Sequence, residues 1–456
     1  MGTLMVSVSG IRGIVGDGLE PETIIKYLKA YVKFTGKGKI VIGSDGRITG
    51  NIVRNIVTGT LNAMGMDVYD IGVCPTPTVL FNVRKLNAVG GISISASHNP
   101  NEWNALKLLN SEGEFLTPEQ SKEMLSYLDD SNGNDVYVSW DNIGKTFDYS
   151  EGLQNHVDAV LEMDVLNLNE LKARKFKVLL DCVNGAGSWV MKNFLEKLGC
   201  EVIEKDCEKS GVFPRKPEPV PENLTETMNA IKEKNVDLGI VVDPDVDRLV
   251  LLTEKGEPFI EENTITQAVK FILGKTKGNV VVNLSTTRAV EDVAKEFGVT
   301  VFRSPVGEAN VVKLMKEVNA VIGGEGSGGV IYPAVHYGRD ALVGTAITLQ
   351  HLLEFGGKMS ELKESLPQYY IAKRKTNIGS ANPDEILNKL KEQFANEKIN
   401  TDDGLRIDFE DHWVHLRKSN TEPIIRCIVE AKDENKATVL AEKYLSKIEN
   451  LKNKIS

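Results

Sequence analysis

Cysteine is scarce in this chain of 456 residues: Cys74, Cys182, Cys200, Cys207 and Cys427 are odd in number and form no CxxC pair. That usage does not suit a disulfide framework and fits reduced thiols in a cytoplasm. Long hydrophobic runs are also missing, none approaching the roughly 18 apolar residues of a membrane span, and the opening MGTLMVSVSGIRG has no charged segment followed by a hydrophobic one. Neither a membrane nor a secreted location is expected. Gly2 does not open a myristoylation motif, because Val6 stands where Ser or Thr is wanted. Positive charge is short as well, 54 Lys and Arg against 64 Asp and Glu for a net charge of −10, and no basic, aromatic-rich face is evident. A nucleic-acid binder is therefore disfavoured, but one small phosphorylated ligand held by local cations is not.

What remains is ordinary globular composition, 41% hydrophobic and 26% charged. The length exceeds what one core supports, so three or four domains are expected. KIVIGSDGRITGNIVRNIVTGTLNAMGMDVYDIG reads as strand, polar loop, amphipathic helix, glycine and strand. The same order recurs in FKVLLDCVNGAGSWVMKNFLEKLGCEVIEKD and in GNVVVNLSTTRAVEDVAKEFGVTVFRSPVG, with Gly65, Gly199 and Gly298 where helix C-caps belong. After about residue 370 the pattern changes to a helix near NPDEILNKLKEQF, strands at LRIDF, WVHLRK and IIRCIVEAK, and a closing helix. The expected fold class is α/β: three similar mixed α/β domains (1–150, 151–255, 256–370) and a smaller C-terminal α+β domain (371–456).

VDLGIVVDPDVDRLVLL sets Asp243, Asp245 and Asp247 at alternate positions between two apolar strands. Three crowded carboxylates repel one another unless a cation sits among them, and oxygen ligands favour Mg²⁺ or Ca²⁺. An EF-hand is excluded, since Arg248 stands where its loop needs glycine. LRKSNTEPIIR gathers Arg417, Ser419, Asn420, Thr421 and Arg426 around a turn, the donors a phosphate dianion needs. IGGEGSGGVIYP surrounds Glu325 and Ser327 with glycines, so that backbone can approach a ligand while a carboxylate and a hydroxyl reach sugar oxygens. In GGISISASHNPNEWNALKLL an apolar strand ends on Ser97 and His98, with Lys107 on the same connection. Locally Ser97 suits a helix N-cap as well as a nucleophile, and no GxSxG elbow is present.

Taken in order, SASHNP, DPDVDR, GEGSGG and RKSNTEP resemble the four signature loops of the α-D-phosphohexomutase superfamily, and SGIRG with Arg12 and GSDGR also look like family segments. The resemblance covers the whole chain. It implies four domains around a central cleft and transfer of phosphate between O1 and O6 of a hexose through a hexose 1,6-bisphosphate. It makes Ser97 the phosphoserine, and Asp243, Asp245 and Asp247 with the Ser97 phosphate the Mg²⁺ ligands. Arg12, Lys107 and Arg248, beside His98, would meet the charge of transfer; Glu325 and Ser327 would hold the sugar; the Arg417 loop would grip the distal phosphate. Within the family, phosphoglucosamine mutase is favoured over phosphomannomutase or phosphoglucomutase. A sugar-phosphate phosphatase or a non-catalytic sugar-phosphate-binding protein is the alternative of another class. Expected partners are hexose phosphates alone, in a monomer or homodimer. Three departures stand out: Pro244 and Val246 replace the glycines of the usual DGDGDR, Gly329 replaces a common histidine, and NALK replaces NGxK.

Overall fold

A computed structural model of the chain describes residues 2–7, 10–129, 136–419 and 422–455. The chain forms four sheets in succession. In each repeated stretch the two strands pair in parallel across their helix: Lys39–Ser44 with Asp67–Val73, Lys177–Asp181 with Glu201–Lys205, and Asn279–Asn283 with Val301–Ser304. The glycine after each helix has positive φ, 78° at Gly65, 90° at Gly199 and 68° at Gly298. A residue without a Cβ takes that conformation at no steric cost, and the chain turns back beside its first strand.

A second regularity runs through the first three sheets. Next to the first strand of each repeat lies a further parallel strand, which then pairs antiparallel with the strand that follows it: Gly90–Ile94 with Trp103–Leu109, Leu238–Val242 with Leu249–Thr253, and Ala320–Glu325 with Gly329–Ile331. The SASHNP, DPDVDR and GEGSGG segments occupy these three connections. Apolar strands buried on both faces run to the point where polar residues begin, so the polar residues project at the carboxyl ends of the strands, where open α/β sheets bind ligands.

The fourth sheet has the order Tyr370–Asn377, Ile424–Ala431, His412–Lys418, Leu405–Asp408, Lys398–Asn400. Its helices are Pro383–Gln393 and Glu434–Ile455. The two outer strands were not legible in the sequence. Tyr370–Asn377 is an edge strand whose Lys373, Arg374 and Lys375 are all exposed, so it carries no hydrophobic alternation. The second and third units share one continuous hydrophobic core running from Val157 to Leu366, whereas the first and fourth have their own. No helix among the described residues is long and apolar enough to cross a membrane.

Candidate functional site

The three connections and the fourth sheet meet on one cleft of about 760 Å³. Ser97 enters it from a buried strand end with φ of 49°, a left-handed conformation uncommon outside glycine. The surroundings hold it there. Ser97 N–H donates to Ser95 Oγ at 2.9 Å, and Ser95 Oγ donates to Asp45 at 2.7 Å. The Arg47 side chain, paired with Asp45 at 2.9 Å, donates to the carbonyls of Ser97 (2.5 Å), Asn99 (2.8 Å), Pro100 (2.5 Å) and Trp103 (3.2 Å). GSDGR thus forms the frame of the serine loop, a role its sequence does not announce.

Ser97 Oγ donates to Asp243 Oδ2 at 3.1 Å, joining the first two loops. Asp243, Asp245 and Asp247 are buried, and each offers a carboxylate oxygen within 4.8 Å of the others. Their hydrogen bonds divide the oxygens into held and free. Asp245 Oδ2 takes Lys107 Nζ and Thr76 Oγ1, each at 2.5 Å, and Asp247 Oδ2 takes Arg339 Nη2 at 2.6 Å. Asp245 Oδ1 and Asp247 Oδ1 are buried without a hydrogen bond, Asp247 Oδ1 having only Arg248 Nε at 3.8 Å. Unsatisfied buried carboxylate oxygens are costly, and two of them on three clustered acids fit a hard divalent cation. Charge agrees: burial, then the Asp247 and Asp245 carboxylates, pushes Asp243 far above the usual carboxylate range. The glycine replacement at 246 has a visible cost, because the β-branched Val246 sits at φ 61°.

Cations surround the serine. Arg12, His98, Lys107 and Arg248 all line the cleft, and Arg12 Nη1 donates to Asn99 Oδ1 at 2.5 Å. Burial opposes the Lys107 ammonium, but Asp245 and Asp247 outweigh it and raise its pKa. His98 is driven the other way, down to about 3, by burial and then by Arg248 and Arg12. Its Nδ1 lies 3.3 Å from Ser97 Oγ, so a neutral imidazole stands beside the hydroxyl.

Across the cleft lie Glu325 and Ser327. Glu325 Oε1 accepts from Asn283 Nδ2 at 2.8 Å and Gly307 N at 3.0 Å, and Oε2 pairs with Arg339 at 2.7 Å. Glu262 and Glu308, unremarkable in sequence, join this side; burial foremost raises Glu262 to about 8 and Glu308 to about 7. Arg417 and Arg426 face each other in register on adjacent strands and line the fourth side, Arg417 pairing with Asp403 at 2.9 Å. Ser419 is half-buried and is not among the lining residues, and Asn420 and Thr421 lie outside the described residues. Arg339 and Glu262 gave no sequence signal because the partners that give them meaning lie far along the chain, Asp247, Glu308 and Glu325 for Arg339 and Thr287 for Glu262.

Four family models match in order: phosphoglucomutase/phosphomannomutase alpha/beta/alpha domain I at residues 4–133, domain II at 154–256, domain III at 263–370 and the C-terminal domain at 376–446. A probable phosphoglucosamine mutase of Methanopyrus kandleri is 34% identical over 96% of both chains. A phosphoglucomutase/phosphomannomutase of Thermococcus kodakarensis is 35% identical over 94% of both. Among solved structures, a phosphoglucomutase/phosphomannomutase family protein from Burkholderia thailandensis superposes with a TM-score of 0.85 at 23% identity over 99% of both chains. The N-acetylphosphoglucosamine mutase of Aspergillus fumigatus, solved with GlcNAc-6P and magnesium, gives 0.58 at 13% identity over 100% of this chain and 96% of that one.

Proposed function

The chain belongs to the phosphoglucomutase/phosphomannomutase family, and from that premise we propose that it is a phosphohexomutase working through Ser97, with a hexosamine phosphate as its preferred substrate. The observation that carries the reading is the placement of Ser97 Oγ, 3.1 Å from Asp243 in a cleft that also holds the sugar-side Glu325 and the paired Arg417 and Arg426. The amino-sugar preference rests on the names of relatives such as the Methanopyrus kandleri protein.

In this reading Ser97 Oγ carries the phosphoryl group. Transfer breaks its P–Oγ bond and forms a P–O bond to the free sugar hydroxyl, which gives up its proton. The departing Ser97 Oγ takes up a proton in place of the one the sugar loses, and in the return transfer Ser97 gives its proton up again, with Asp243 Oδ2 at 3.1 Å and the neutral His98 Nδ1 at 3.3 Å as its neighbours, whereas Lys107, kept charged by Asp245 and Asp247, serves as a fixed cation. Arg12 and Arg248 add positive charge from the walls of the cleft. Asp243, Asp245 and Asp247 would hold Mg²⁺, which when bound supplies charge against the phosphoryl oxygens. The resulting hexose 1,6-bisphosphate turns over and returns its other phosphate to Ser97. Arg417 and Arg426 hold the phosphate that is not reacting, so its binding energy is used at the distant centre. The five free cysteines suit a cytoplasmic enzyme.

Peptide mass spectrometry and coupled assays test this with glucosamine 6-phosphate, mannose 1-phosphate or glucose 1-phosphate, Mg²⁺ and a trace of hexose 1,6-bisphosphate. Phosphate on Ser97 and fastest isomerisation of the amino sugar are expected, with turnover abolished in Ser97→Ala. An unphosphorylated Ser97 with no sugar phosphate converted would overturn the mutase reading; release of free phosphate alone would replace it with a phosphatase.

A further inference from the structure

Arg339 makes three ion pairs with one guanidinium: Nη2 with Asp247 Oδ2 at 2.6 Å, Nη1 with Glu325 Oε2 at 2.7 Å, and Nε with Glu308 Oε2 at 2.9 Å. The first partner belongs to the acidic loop and the second to the glycine-rich loop, so this side chain ties together two parts of the cleft contributed by different units. Its own place is fixed from below. Its backbone N–H donates to Glu308 Oε1 at 3.2 Å. The next residue, Asp340, caps the helix Ala341–Phe355 through Oδ1, and its Oδ2 lies 2.8 Å from His156 Nε2 and 3.0 Å from His336 Nε2. Those contacts tie the buried His156, His336 and Asp340 together beneath Arg339, with His336 Nδ1 left without a hydrogen bond.

The neighbour at position 329 gives an independent indication. A Cβ built on Gly329 would lie 2.2 Å from Arg339 Cδ and 2.8 Å from its Cγ. The arginine stem therefore fills the volume a side chain at 329 would need. Arg339 can adopt its three-way pairing only because residue 329 is glycine.

We propose that Arg339 is a positioning residue that sets the metal-binding and sugar-binding loops together, an assignment that rests on the mutase reading. With Oδ2 clamped by the guanidinium, rotation of the Asp247 carboxylate is restrained, which keeps its Oδ1, buried and without a hydrogen bond, available within the acidic cluster. The same clamp fixes Glu325 Oε2 for the sugar. The planar fork reaches both carboxylates at once, which an ammonium cannot do.

The test uses the full chain with Mn²⁺ as the metal probe, binding being read by calorimetry and sugar-phosphate KM and kcat by coupled assay, after circular dichroism has shown each variant to be folded. Arg339→Gln is expected to weaken Mn²⁺ binding about tenfold or more, in the range for orienting partners of metal ligands, and to raise KM for the sugar phosphate as well. Arg339→Lys should restore only part of either. Gly329→Ala should move both quantities the same way, yet add nothing in an Arg339→Ala background. A folded Arg339→Gln that keeps either quantity within twofold of wild type overturns the coupling, and additive effects of Gly329→Ala and Arg339→Ala overturn the volume argument. A wild-type chain that neither binds Mn²⁺ nor isomerises a sugar phosphate overturns the mutase reading along with this inference.

Discussion

Replacing Arg47 with Ala should damage stability and activity together, through separable causes. Arg47 and Asp45 have fully buried side chains 2.9 Å apart, and the same guanidinium serves four carbonyls of the serine loop. Removing one member of a buried ion pair costs about 3 to 5 kcal/mol because the other charge is left unpaired. For a domain of this size that corresponds to a fall of the order of 10 °C in melting temperature. Asp45 already has a raised pKa from burial despite Arg47, and loss of the arginine raises it further. An acid whose folded pKa lies above its unfolded value loses stability as pH rises between the two, so the gap between Arg47→Ala and wild type should widen from pH 5 to pH 8. Asp45→Asn added to Arg47→Ala should return much of the lost stability but not the activity, since the serine loop still lacks its carbonyl donor. A displacement near 1 Å at Ser97 would lower kcat about 100-fold. Thermal melts across pH with parallel kcat measurements decide the matter: a stability loss below about 1 kcal/mol by melting, or a double variant less stable than Arg47→Ala, refutes the reasoning.

Glu262, raised to about 8 by burial foremost, makes the folded state favour the protonated acid, so its unfavourable contribution grows as pH rises from the ordinary carboxylate range toward 8. Glu262→Gln should flatten that slope, gaining up to about 4 kcal/mol relative to wild type between pH 5 and pH 8, as melts at the two pH values would show. A Cβ on Gly326 would fall 2.1 to 2.3 Å from the Glu262 carboxyl group, so Gly326→Ala should raise KM for the sugar phosphate and cost about 1 to 3 kcal/mol, checked by kinetics and melting. Magnesium at 100 times its dissociation constant should stabilise the chain by about 2.7 kcal/mol, an increment that EDTA removes and Asp245→Ala lacks in calorimetric scans.

The sequence disclosed those parts of the molecule whose residues are consecutive. The βαβ units showed because buried strands and glycine-ended helices leave local periodicity, and Asp243, Asp245 and Asp247 showed because all three fall within five residues. Arg339 could not, because its meaning depends on partners 14, 31 and 92 positions away. Glu262 was silent for a related reason: in the first turn of a helix an acid is the expected dipole partner, and only folding places it against Gly326. The edge strand Tyr370–Asn377 failed differently, since one side of it has no strand neighbour and its lysines face water.

The joints between units also differ in kind, and that difference assigns them different work. The serine loop and acidic loop are locked by Thr76, Lys107 and Ser97, each bonded to an aspartate of the second unit. The second and third units share a core, and Arg339 spans their loops. Among the described residues, the hydrogen bonds between the fourth unit and the rest of the chain run to the third unit, among them Arg406 to Leu284 O, Val306 N–H to Asp403, Arg288 N–H to Glu430, and the Ser285–His415 contact. The Ser97 side of the cleft is thus built as one block, while Arg417 and Arg426 stand on a unit whose hydrogen bonds among the described residues reach a single neighbour. In the proposed mechanism geometry near Ser97 must be held closely for phosphoryl transfer, but a bisphosphate that turns over needs room. A fold that fixes three units to one another and leaves the arginines proposed to hold the distal phosphate on one joint meets both demands.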